Sequence, residues 1–342
     1  MQEPVLRTRC RVLGIAVGMV LIGPLLLAQE KLAAQSNGRA GAQFVEQIIE
    51  VQTEDDVSNA GVLFAPPKNF AKPIAIIWVH GWGVNFYQRS YVAICRALAN
   101  RGYTTISVNT RMHDIGNIET WRGDRRVRGG GYWGVTSEQV RDVAAWVDLA
   151  AKQGLKVVLV GHSAGWETVL RYQAEKHDER VVGLVMASGG VHPWWQSPDP
   201  KLLAEANRMV SEGRADDLVR LPNRNSPSFI SAATFVDLVN TPPEYRDFFG
   251  VETASPGIAR VKCPLLAFFG TDEEDVGNEK DLELLTSCIK RLQNGPSRVN
   301  TAMIHGADHM YVGHEDNVAQ VVANWADTLL SKSAEKSEPH LN

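Results

Sequence analysis

The chain has 342 residues, 44% hydrophobic and 22% charged, which is enough apolar material for one large core or two smaller ones. Its formal net charge of −4 gives no global attraction toward nucleic acid or an anionic membrane surface. The four cysteines show neither metal-ligand nor disulfide-framework spacing; Cys10 falls in the leader, and Cys95, Cys263 and Cys288 read as small buried hydrophobes.

The N-terminal segment stands apart from the rest. Arg7, Arg9 and Arg11 precede an apolar run from Val12 to Ala28, with the small residues Ala28, Ala33 and Ala34 near its end. This is the layout of a secretory signal peptide over residues 1–34, and it predicts a periplasmic or extracellular protein. Left uncleaved, the same run would act as a membrane anchor, the one circumstance that would give the chain a membrane partner. Ser36 to Ala42 reads as a linker, so the folded domain is expected over residues 35–342.

Phe44 to Val51 and Gly61 to Phe64 are predicted opening strands, stopped by Pro66 and Pro67. Ile74 to Val79 is apolar throughout, the pattern of a strand buried on both faces of a parallel sheet. Runs of the same kind recur at Thr104 to Val108, Val157 to Val160, Val182 to Ala187, Leu265 to Phe269 and Asn300 to Ile304. Helical spacing appears between them. Tyr91, Ile94, Cys95 and Leu98 share one face before Gly102, and Thr136 with Gln139 predicts a capping box ahead of Val140, Val143, Ala144 and Val147. Val318, Val321, Val322, Trp325 and Leu329 mark a last amphipathic helix, and the polar tail from Ser331 is expected to be loose. Strands alternating with helices argue for a mainly parallel sheet covered on both faces.

Two stretches do not follow this alternation. Arg122, Arg125, Arg126 and Arg128 lie in a glycine-containing segment, expected to be a solvated basic loop that pairs with Asp124 and other acids. From His192 to Pro256 no strand run appears; helix-like stretches at Leu202 to Glu212 and Phe229 to Val239 lie among many prolines. An insertion there, at about 192–256, would cover the carboxyl ends of the strands, where α/β sheets bind ligands. Trp194, Trp195 and Phe235 are its candidate substrate-facing side chains, although most of the insert's aromatics are expected to form its own small core.

Chemistry concentrates at three strand ends. Gly161-His162-Ser163-Ala164-Gly165 follows an apolar strand and precedes a helix-compatible stretch. A serine on so tight a strand-to-helix turn takes strained backbone angles, and side chains two residues to either side would collide, which demands glycine there. The helix that follows offers N–H groups and a dipole favourable to developing negative charge. His80-Gly81-Trp82-Gly83 closes the Ile74 to Val79 strand, and a glycine-bearing turn there can aim a backbone N–H at the serine. With the N–H of Ala164 it would make an oxyanion hole; Trp82 is the expected first donor, with Gly83 as the alternative, and His80 is read as organising the turn. After the last strand comes His305-Gly306-Ala307-Asp308-His309, in which His309 is better placed as a general base than His305 or His314. The strand Leu265 to Phe269 ends on Gly270-Thr271-Asp272-Glu273-Glu274-Asp275, where one carboxylate should accept the N–H of the base.

The series HGWG, GHSAG and GADH, each after a strand, resembles the α/β-hydrolase superfamily from about Ile74 to Leu330. The resemblance implies a three-layer fold with a mostly parallel, twisted sheet of about eight strands and a helical cap. It implies a Ser-His-acid triad and an acyl-enzyme route for a small-molecule ester, with no metal or organic cofactor. The family's acid commonly stands three residues after the strand-terminal glycine, which is Glu273 here; its usual preference for aspartate keeps Asp272 in contention. Serine rather than aspartate at 163 argues against haloalkane-type chemistry. Esterases, lactonases and peptidases share this fold, as do non-catalytic binding proteins that have lost catalytic residues.

Overall fold

The computed structural model describes residues 44–193, 199–221, 229–274 and 276–335. The leader, Trp194, Trp195 and Asp275 lie outside the described residues. The strands are β1 (Val45–Gln52), β2 (Ser58–Ala65), β3 (Ile74–Val79), β4 (Thr104–Val108), β5 (Asn117–Arg122), β6 (Arg125–Gly129), β7 (Lys156–His162), β8 (Val181–Ala187), β9 (Leu218–Arg220), β10 (Phe229–Ser231), β11 (Leu265–Gly270) and β12 (Val299–Ile304). The helices are α1 (Arg89–Ala99), α2 (Gln139–Lys152), α3 (Gly165–Lys176), α4 (Pro200–Ser211), α5 (Ala232–Val239), α6 (Pro243–Arg246), α7 (Glu279–Lys290) and α8 (Glu315–Glu335).

Eight strands form one sheet in the order β1-β2-β4-β3-β7-β8-β11-β12. β2 pairs antiparallel with both β1 and β4, and every other neighbour is parallel. All six residues of β3 are buried, and alternation along the strand sends them to opposite layers. Ala75, Ile77 and Val79 pack with Val143 and Trp146 of α2, Val169 and Leu170 of α3 and Leu285 of α7. Ile74, Ile76 and Trp78 pack with Tyr91, Ile94 and Leu98 of α1 and Val318, Val322 and Trp325 of α8. The predicted sheet with helices on both faces is therefore realised.

Several local expectations are corrected. Thr136–Glu138 is a short 3-10 turn and no side chain caps α2, because the Gln139 carboxamide is buried and accepts from Thr110 Oγ1 at 2.8 Å. The arginine-rich segment is a hairpin, β5–β6, whose Arg122 pairs with Asp55 and Glu138. Arg126 lies 5.1 Å over the Trp121 ring and Arg128 lies 5.3 Å over Trp133. Helix α7, which the reading from sequence passed over, starts at a capping box in which Asn278 accepts from Lys280 N and Asp281 accepts from Asn278 N. Helix α8 carries the chain past Ser331 to Glu335, where a loose tail was expected.

The segment between β8 and β11 holds α4, α5, α6 and a small antiparallel ribbon of β9 and β10 that the strand pattern did not reveal. It has a core of its own, in which Phe235 is 2% exposed and packs with Ala206, Met209, Val219, Leu221 and Ile230. The ring expected to face a substrate is thus enclosed by apolar neighbours. Ser137 anchors the segment through Asp237, and the Tyr132 carbonyl accepts the Ser231 N–H at 2.7 Å.

One ionic cluster pins α2 to the β1–β2 turn and the loop after β4. Arg111 donates to the fully buried Asp142 from Nε at 3.0 Å, from Nη2 at 3.0 Å and from its backbone N–H at 2.9 Å. It also reaches Asp55 at 3.0 Å. Burial opposes ionisation of Asp55, but hydrogen bonds from Arg111, Thr53 and Arg122 outweigh it and hold the carboxyl well below its usual range. Removing one member of such a buried pair strands the other charge. Arg111→Ala is expected to lower unfolding free energy by about 3–5 kcal/mol, read from urea denaturation at neutral pH.

Candidate active site

Strand β7 ends at His162, and Ser163 follows with φ +49° before α3 begins at Gly165. That left-handed backbone is unfavourable for a residue with a side chain. It is fixed by the Ser163 N–H donating to the Ala187 carbonyl at 2.9 Å and by the Trp166 N–H donating to the Ser163 carbonyl at 3.1 Å. The flanking glycines are sterically required. A Cβ on Gly161 would lie 2.4 Å from the Gly165 oxygen, and one on Gly165 would lie 2.4 Å from the His80 oxygen. Gly165 is thus excluded from carrying a side chain by the turn after β3, where the sequence had pointed to a clash between the two glycine positions.

That turn lies directly against the serine, since a Cβ on Gly81 would come within 2.9 Å of Ser163 Cβ. His80 organises the turn as expected. Its Nδ1–H donates to the Gly81 carbonyl at 2.7 Å, and Nε2 accepts the Thr110 N–H at 3.1 Å. Burial pushes the His80 pKa down to about 4, so the ring is neutral. The Gly81 N–H donates to Tyr91 Oη at 3.3 Å, whereas those of Trp82, Gly83 and Ala164 have no acceptor among the described residues. The Trp82 indole packs beside Tyr132, with ring centroids 6.4 Å apart.

His309 stands on the loop beyond β12. Its Nδ1 is 2.8 Å from Oε2 of Glu273, whose side chain is fully buried, while 18% of the histidine side chain remains exposed. Backbone lacing selects Glu273. The Thr271 N–H donates to the Ile304 carbonyl at 3.0 Å and the Asp272 N–H to the Ala307 carbonyl at 3.0 Å. Thr271 Oγ1 accepts the Gly306 N–H at 2.8 Å. Asp272 is left exposed, with Oδ1 accepting from Thr271 Oγ1 at 3.0 Å, and the structure does not bring it to the histidine. His305 is exposed on the same loop.

Three contributors escaped the reading from sequence. His162, beside the serine, has its ring 4.9 Å from that of His309, and its Nε2 is 2.8 Å from the His309 carbonyl. Tyr91, recognised only as an apolar-face residue, reaches His162 Nδ1 at 2.7 Å. Tyr311 donates to Ser188 Oγ at 2.7 Å and packs 5.4 Å from the His162 ring. The available signal was a histidine next to the serine and two tyrosines at otherwise apolar positions, which becomes informative only when the segments meet. Among the described residues no group of three or more His, Cys, Asp or Glu is arranged to hold a metal ion. Gly165→Ala is expected to lower stability by about 1–3 kcal/mol, through overpacking against the His80 carbonyl, measured by urea unfolding.

A search among curated proteins matches none of them. Among solved structures, Est1E from Butyrivibrio proteoclasticus with bound ferulic acid is similar with a TM-score of 0.56 at 17% identity, covering 83% of this chain and 99% of its own. DcsB in complex with its substrate analogue gives 0.60 at 17% identity, covering 84% and 99%. The Pyrococcus furiosus esterase Pf2001 gives 0.51 at 15% identity, covering 83% and 93%. These likenesses concern the fold. The model of the alpha/beta hydrolase family matches residues 76–324, from within β3 into α8, and the chain therefore belongs to that family.

Proposed function

We propose that the protein is a serine hydrolase that cleaves a small carboxylic ester through an acyl-enzyme intermediate. The observation that carries this reading is the hydrogen bond between Glu273 and His309, whose carbonyl lies 2.8 Å from Nε2 of His162, the residue before a serine held at φ +49°. With Nδ1–H directed at the carboxylate, Nε2 of His309 keeps its lone pair for a proton. His309 takes the Ser163 proton as the oxygen attacks the ester carbonyl. The backbone N–H groups of Trp82 and Ala164 receive the oxyanion, and Glu273 stabilises the imidazolium. His309 then protonates the departing alcohol, and water repeats the sequence on the acyl group.

The elements between β8 and β11 serve in this reading as the cap over the site. Export rests on the Arg7 to Ala34 sequence pattern.

Ser163→Ala is expected to abolish hydrolysis of p-nitrophenyl esters and fluorophosphonate labelling while the melting curve matches wild type. Wild-type turnover in that variant ends the proposal. An aminoacyl anilide run beside the esters tests peptidase chemistry. Glu273→Gln, which leaves Nδ1 facing an amide, is expected to lower kcat by about 10³–10⁴-fold with the protein still folded, measured in the same ester assay.

A further inference from the structure

His162 is 1% exposed and occupies the crossing of three segments: the turn after β3, the turn after β7 and the loop after β12. The His309 carbonyl, 2.8 Å from Nε2, can only accept, so Nε2 carries the proton. Nδ1 is then a lone pair, and Tyr91 Oη donates to it at 2.7 Å. Tyr91 Oη in turn accepts the Gly81 N–H at 3.3 Å. The chain Gly81, Tyr91, His162, His309 therefore runs in one direction and allows one tautomer of the middle imidazole.

The surroundings keep that tautomer neutral. Burial pushes the His162 pKa down to about 3, and positive charge on His309 acts in the same sense. Both ring nitrogens are committed, so His162 has no capacity left to exchange protons with a substrate. Its rim is filled by Tyr91 at 5.3 Å, Tyr311 at 5.4 Å and His309 at 4.9 Å between ring centroids.

We infer that His162 is a positioning residue, whose Nε2–H, donated to the His309 carbonyl, sets where the His309 imidazole stands relative to Ser163. Glu273 holds the side chain of His309 at Nδ1 and His162 holds its backbone, so the ring has two fixed points rather than one. Tyr91 contributes by selecting the tautomer able to donate. A displacement of about 1 Å at such a base is enough to lower turnover on the order of a hundredfold. The kinetic part of this inference rests on the proposed esterase reading; the structural part does not.

The test compares His162→Asn, His162→Gln and Tyr91→Phe in the full chain, following ester kinetics and the downfield proton resonance of His309 Nδ1–H. Asparagine still accepts from Tyr91 but is too short to reach His309, whereas the glutamine amide nitrogen overlays Nε2. His162→Asn is expected to broaden or abolish the resonance and lower kcat by about a hundredfold with KM unchanged. His162→Gln is expected to restore both, and Tyr91→Phe to fall between them. The inference is overturned if His162→Asn keeps the resonance and kcat. It is equally overturned if the glutamine variant, with a matched melting temperature, loses as much as the asparagine variant. Should the wild-type chain cleave no ester, the esterase reading fails, and the resonance in the same variants still decides whether His162 positions His309.

Discussion

The left-handed backbone at Ser163 is the constraint around which the rest of the site is arranged. A non-glycine residue in that conformation costs on the order of 1–3 kcal/mol and persists only where its surroundings overdetermine it. Here the surroundings are β3, β7 and β8, neighbours in the middle of the sheet. β8 supplies the Ala187 carbonyl that holds the Ser163 N–H, and the turn after β3 presses on Gly165 from the opposite side. The strain is carried by strands that are almost wholly buried. The same contacts bring the Gly81 turn to the serine, so the turns after β3 and β7 share one piece of geometry.

Much of this was legible in the sequence, and the reason differs by element. Central strands buried on both faces announce themselves as unbroken apolar runs, so Ile74 to Val79 and Leu265 to Phe269 could be placed to within a residue. The serine motif sits at the end of such a run, whereas the histidine motif follows β12, an edge strand in which Asn300 and Thr301 are exposed. The choice between Asp272 and Glu273 was not readable. It is made by main-chain hydrogen bonds to Ile304 and Ala307, which commit the Asp272 backbone to the neighbouring loop and turn its carboxylate outward. Thr136 with Gln139 looked like a cap because spacing is local information; the carboxamide is instead taken by Thr110, on the loop after β4. The β5–β6 hairpin was hidden by exposed arginines, whose charge pattern obscures a period of two.

The aromatic residues after β8 divide in a way that composition could not foresee. Phe248 and Phe249 reach α3 and pack around Trp166, at 5.8 and 5.1 Å between ring centroids. They tie this segment to the helix that begins two residues after Ser163. Phe235 instead belongs to the segment's private core with Met209 and Leu221.

That private core has a consequence for how the protein can change over time. A segment that satisfies its own apolar residues, and is tied to the rest of the fold through Asp237 to Ser137, Ser231 to Tyr132 and an aromatic clamp on α3, can exchange its outward-facing residues without unsettling the sheet. Selection for a new ligand can then rewrite one surface while the inherited scaffold, with its costly turn at residue 163, passes through unaltered.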